Sequence, residues 1–196
     1  MSDFVPCSRR AALLSLASLA ALPLAHAAPA AAPGDSVYRL EAHLVDQDGR
    51  AFEWSSLQGG PLLASMFYTS CTMVCPMIFE TLHATLKALP AAERSAVRVL
   101  MISFDPARDS VAVLKKTAQV RDCDAQWVLA RGDETTVRKV AGVLGVQYRR
   151  LSDGEYNHST TITLLDRQGR VAAKSGKLGP ADPVLVSAVH KALAAA

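Results

Sequence analysis

Cys71 and Cys75 stand four residues apart in the segment Cys71-Thr72-Met73-Val74-Cys75-Pro76. Pro76 suits the first turn of a helix, and Met77, Phe79, Leu82, Leu86 and Leu89 follow at helical spacing until Pro90, so the pair is predicted to open a helix. Side chains at that spacing meet on one helical face, about 5–6 Å apart at their β carbons. Two thiols so placed can share one metal ion or oxidise together. The unpaired amides at a helix start favour anions, lowering thiol pKa and supplying the thiolate that both reactions require. Thiolates select soft ions such as Cu(I); a site that must also hold Cu(II) needs a nitrogen donor, to be found elsewhere in the chain.

The elements around the pair predict how it is held. Val37 to Val45 alternates and turns at Asp48-Gly49 into Ala51, Phe52 and Trp54, a hairpin. Leu62 to Tyr68 is a continuous apolar run suited to the centre of a sheet covered on both faces, and the cysteines follow it directly. Val97 to Phe104 reads as a second buried strand, with a helix capped near Asp109-Ser110 after it. Trp127 to Ala130 reads as a strand, Glu134 to Leu144 as a helix ending at Gly145, and Val146 to Leu151 as extended chain. A polar loop, Ser152 to Ser159, leads to a hairpin of Thr160 to Leu165 and Val171 to Lys174, and Pro180 opens a terminal helix. This order predicts a thioredoxin-like α/β fold: a central mixed sheet, helices on both faces and an added N-terminal β-hairpin.

That layout sorts the histidines. His83 lies two turns along the helix, about 12 Å from Cys75. His43 in the first hairpin and His190 in the terminal helix read as packing or surface residues. His158 is left, in a loop that faces the strand-to-helix junction in such a layout. Cys123, between Asp122 and Asp124, reads as a partly buried free thiol on a loop.

The ends set the compartment. Arg9 and Arg10, a small and apolar run from Ala11 to Ala25, and Ala25-His26-Ala27 form a secretory signal with cleavage after Ala27; Ser8-Arg9-Arg10 with Leu13 also resembles a twin-arginine signal. The reading is therefore a signal peptide over 1–27, an Ala/Pro linker over 28–33 and one domain over 34–196. Cys7 and His26 leave with the leader. The remaining cysteines meet an oxidising compartment, where the Cys71/Cys75 pair becomes a disulfide unless reduced or metal-bound. Half of the 196 residues are hydrophobic and the net charge is only +3, so the core needs no staples and the chain offers no basic stripe for nucleic acid.

Three segments, Phe67 to Pro76, Ser103-Phe104-Asp105-Pro106-Ala107-Arg108-Asp109 and Tyr156-Asn157-His158-Ser159, resemble in order and spacing the three motifs of the SCO/SenC family. The resemblance implies one copper ion, Cu(I) or Cu(II), per chain on Cys71, Cys75 and His158. It implies a protein that helps assemble the binuclear copper centre of cytochrome c oxidase as metallochaperone, as reductant of the target's cysteines, or both, and not an enzyme in the strict sense. The expected partners are the copper-bearing oxidase subunit and another periplasmic copper donor. The expected place is the periplasm, with inner-membrane association through the target or an uncleaved leader. Asp105 matches an acidic position beside the family's site, with a supporting or partner-docking role, though before Pro106 it also reads as a turn residue. Where relatives carry Pro-Asp this chain has Thr72-Met73. The lost carboxylate and the added thioether beside the site lean it toward Cu(I), although Met73 and Met77 are of a type that more often packs. Two rivals remain. A thiol-disulfide oxidoreductase would reduce cysteines of the oxidase or of other exported proteins, but usually has two residues between its cysteines. A peroxiredoxin would use Cys75, but has a proline where Tyr68 stands.

Overall fold

The structure, a computed structural model, describes residues 32–195; the expected leader and most of the linker lie outside them. His43–Asp46 (β1) and Ala51–Glu53 (β2) form the first hairpin. The stretch before it, Val37–Arg39, is a single 3-10 turn and not strand, because the Ser36 side chain accepts the Tyr38 amide and closes the turn. Leu62–Phe67 (β3) is buried at all six positions. It leads into Val74–Ala88 (α1) and a short Ala91–Ala96 (α2) that the sequence reading did not anticipate. Arg98–Ser103 (β4) then pairs parallel with β3, Leu62 opposite Arg98 and Phe67 opposite Ser103.

Val111–Val120 (α3), capped by the Ser110 hydroxyl, carries the chain to Trp127–Arg131 (β5), parallel to β4 on its far side. Two crossovers of the same hand running in the same direction put α1 and α3 on one face of the sheet. His83 of α1 accordingly contacts the Arg121 carbonyl just past α3, at 2.8 Å, and its ring lies against Trp127. Glu134–Leu144 (α4) runs from its Asp133 cap to Gly145, whose φ of 75° closes the helix in the left-handed region. It returns across the opposite face, where Thr163 donates to the Leu144 carbonyl.

Tyr148–Arg150 (β6) and Tyr156–His158 (β7) then form a two-stranded ribbon outside the main sheet. The loop expected over Ser152 to Ser159 is thus corrected: its second half is strand. Ile162–Leu165 (β8) runs antiparallel beside β3, Val171–Ser175 (β9) completes the second hairpin, and the main sheet has the order β2-β1-β5-β4-β3-β8-β9. Pro183–Ala194 (α5) starts three residues later than expected, because the Asp182 side chain accepts the Val184 amide and Pro183 takes the first helical position. The fold is the thioredoxin-like one expected. Among the described residues no helix is long and apolar enough to cross a membrane.

The Cys75 helix is held to the sheet by its apolar side, where Ile78 and Leu82 are wholly buried. Leu82→Ala removes about 3 kcal/mol of stability in urea denaturation, whereas Glu80→Ala, on the exposed side, changes it by less than about 0.5 kcal/mol.

Candidate metal centre

In open α/β sheets the crevice beyond the carboxyl ends of parallel strands is where sites form, especially where successive connections leave on opposite faces. Here the chain leaves β3 toward α1 on one face and arrives at β8 after α4 on the other. Since β8 is antiparallel to β3, its start lies at the end of β3, as the Ser65 hydroxyl bonded to the Thr161 carbonyl shows. Cys71 follows β3 and His158 precedes β8, so topology brings them to one place.

The sulfur and imidazole donors of Cys71, Cys75 and His158 lie within 4.8 Å of one another. The Cys75 Sγ to His158 Nε2 distance is 3.6 Å. Transition ions bond thiolate at about 2.3 Å and imidazole at about 2.0 Å, which sets such donors about 3.7 Å apart around a trigonal ion. Two sulfurs and one imidazole are donors that copper accepts, so the residues present fit that ion. Both cysteines are free thiols, almost wholly buried, and His158 is half-buried.

Local chemistry explains how each donor is aimed. Met73, at the start of α1, gives no side-chain cap; instead the Cys71 sulfur accepts the Cys75 amide at 3.4 Å. Burial works against ionisation of Cys71, yet the amides of Cys75 and Met73, with the Cys75 and His158 side chains, bring its thiol down from 9.0 to about 7. Burial drives the Cys75 thiol the other way, well above the ordinary range, and the charges of Cys71 and Asp109 push in the same direction. The His158 Nδ1 lies 3.0 Å from the Ser159 carbonyl, a contact that an N–H satisfies and that fixes the ring with Nε2 facing the sulfurs. The imidazole rests against the Tyr68 and Phe104 rings, at 5.7 and 5.0 Å.

Three supporting residues were not legible as such. Asp109, fully buried, accepts the Thr69 amide at 3.1 Å, the Thr69 hydroxyl, and the Ser103 hydroxyl at 2.5 Å. It thereby pins the turn that carries Cys71; in the sequence it stood beside a helix cap and at the end of the second motif, with no role of its own assigned. Glu155 accepts the Tyr68 hydroxyl at 2.8 Å. Arg108 pairs with Asp105, donates to the Gly154 carbonyl at 2.8 Å, and lies over the Tyr68 and Tyr156 rings. Asp105, expected in a supporting or partner-docking role, makes its contacts with Arg108 and Tyr156.

The methionines depart from expectation. Met73 is 77% exposed and Met77 39%, so neither packs in the core; what Met73 offers Cys71 is its amide. The other histidines stand apart, His43 paired with Glu53 and His190 with Glu93. Cys123 is a half-buried free thiol, pushed up to about 12 by burial and by Asp124 and Asp122.

A family model described as SCO1/SenC matches residues 32–194. An SCO2-like protein of Rickettsia typhi is 26% identical over 133 residues, 65% of this chain; the match spans 64% of that protein's own length. A protein of Stutzerimonas stutzeri, provisionally named as copper-binding, is 26% identical over 164 residues, 82% of this chain and 74% of its own. The copper-bound structure of Bradyrhizobium japonicum ScoI superposes with a TM-score of 0.64 at 28% identity, covering 79% of this chain and 97% of that one.

The thiol asymmetry is measurable. In the reduced, metal-free protein, iodoacetamide modifies Cys71 with a rate that rises with pH and is half-maximal near pH 7, while Cys75 stays unmodified until far more alkaline pH. Peptide mass spectrometry across a pH series reads both.

Proposed function

This chain belongs to the SCO1/SenC family, and from that premise we propose that it is a copper carrier that binds one ion through Cys71, Cys75 and His158. The observation that carries the reading is the convergence of three donors from two distant parts of the chain within 4.8 Å, with the imidazole Nε2 aimed at the sulfurs. Copper is cargo here, and no substrate is transformed. We assign delivery to the binuclear copper centre of cytochrome c oxidase, in the periplasm, where the Arg9-Arg10 leader would send the chain. Copper-named relatives support the choice of metal.

The residues divide the work. Cys71, ionised in part at neutral pH, offers the first sulfur. Cys75 gives up its proton only when a cation arrives to replace it, so binding releases protons and strengthens as pH rises. His158 supplies the nitrogen that lets one site serve both Cu(I) and Cu(II). Tyr68 and Phe104 wall the imidazole and keep its ring plane from turning.

A second reading has one observation in its favour: a lowered thiol beside a raised one is the asymmetry of a dithiol reductant, with Cys71 as nucleophile and Cys75 as the resolving thiol. In that case the protein reduces the target's cysteines before metal enters. Anaerobic titration of the reduced protein with Cu(I) against a competing chelator, and with Cu(II) read by EPR, separates the two. The carrier binds one equivalent, and Cys71→Ala, Cys75→Ala and His158→Ala each weaken binding by about 100-fold or more. A variant as tight as the parent removes that residue from the ligand set. Full reductase activity of His158→Ala on a disulfide substrate, without copper binding by the parent, establishes the second reading instead.

A further inference from the structure

Behind His158, on the same ribbon, lies a cleft of about 420 Å³ between β6–β7, the start of α4 and the Phe104–Ala107 turn. Its apolar wall is Tyr148 and Tyr156, packed over the buried Phe104, on which Tyr148 stacks at 5.0 Å. Its rim is cationic: Arg138, Arg149 and Arg150. The two carboxylates that also line it are already matched, Asp105 by Arg108 and Glu134 by Arg138 at 3.0 Å. Arg149 and Arg150 are exposed and have no ion-pair partner among the described residues. In a protein of small net charge, unmatched guanidinium groups beside an aromatic wall are a recognition surface for carboxylates.

The geometry points to this cleft as the docking site for an acidic, aromatic-bearing segment of the protein that exchanges metal with the Cys71, Cys75 and His158 site. The inference rests on the carrier reading for its purpose, since β6–β7 pairing sets Tyr148 directly opposite His158 and a chain seated in the cleft lies beside the ligand. A protein segment suits the cleft better than a small anion. The arginines are too exposed to hold a lone carboxylate strongly, whereas a segment engages both and fills the aromatic wall at once. Arg150, two residues on from Tyr148, shares its side of the ribbon, and Arg149 stands at the rim between the cleft and the surface around His158, so one segment can meet both.

The test uses the metal-free protein and a fluorescent peptide of aspartate, glutamate and phenylalanine, with its asparagine and glutamine counterpart as the uncharged control. By anisotropy at low ionic strength the acidic peptide binds, weakens as salt rises, and outcompetes the control. Arg149→Glu with Arg150→Glu weakens it by about tenfold or more. Arg167→Glu with Lys191→Glu, at a cleft between β9 and α5 at the other end of β8, leaves it unchanged. Equal binding of the uncharged peptide, tighter binding of a single-stranded oligonucleotide of the same charge, an unaffected ribbon variant, or no binding at all overturns the proposal. Copper titration of the ribbon variant is a separate readout: one equivalent bound there, with peptide binding lost, shows the two sites failing independently.

Discussion

The hydrogen bond from the Cys75 amide to the Cys71 sulfur joins the backbone to the chemistry of this protein. A helix start leaves amides without partners, and most helices meet that need with a serine, threonine or aspartate oxygen. Here a sulfur does it. The same contact that caps α1 steadies negative charge on Cys71 and holds it over the residue four places on, so the geometry of a two-sulfur site and the start of a helix are one feature. The turn before it has little freedom of its own, and its rigidity is borrowed from Asp109, whose buried carboxylate ties Thr69 to the end of β4 through Ser103.

The electrostatics of the pair follow from that arrangement. Asp109 is a fully buried acid near Cys75, and together with the Cys71 charge it makes a second thiolate costly in the absence of a cation. The resting pair is therefore one partial thiolate beside one thiol. A metal ion removes the conflict by bringing positive charge to the place where negative charge is penalised.

His158 depends on a part of the structure that the main sheet does not include. The β6–β7 ribbon has no strand pairing to the seven-stranded sheet, and it is held by side chains: Arg108 to Gly154, Tyr68 to Glu155, and the rings of Tyr148 and Tyr156 against Phe104. Asp105 contributes at one remove, by orienting Arg108. The nitrogen donor is thus mounted on an element whose position is set by aromatic contact and a few charged hydrogen bonds, while the sulfur donors are mounted on the rigid sheet-to-helix junction.

The sequence by itself determined the frame. Continuous apolar runs marked β3 and β4, helical spacing marked α1 and α4, Gly145 marked the end of α4, and the two cysteines were placed at a helix start, all from local pattern and steric preference. Local pattern also singled out His158, but only with a layout in hand. What tertiary structure alone decided is non-local: the Ser36 turn in place of a longer strand, the pairing of Tyr156–His158 into a ribbon, the α5 start at Pro183, and the roles of Asp109, Arg108 and Glu155. Each of these turns on a polar group finding a particular partner across space, and hydrogen-bond donors and acceptors carry no periodic trace in a sequence. The same reason explains Asp105 and the methionines: residue type says what a side chain can bind, while the fold decides what stands within reach.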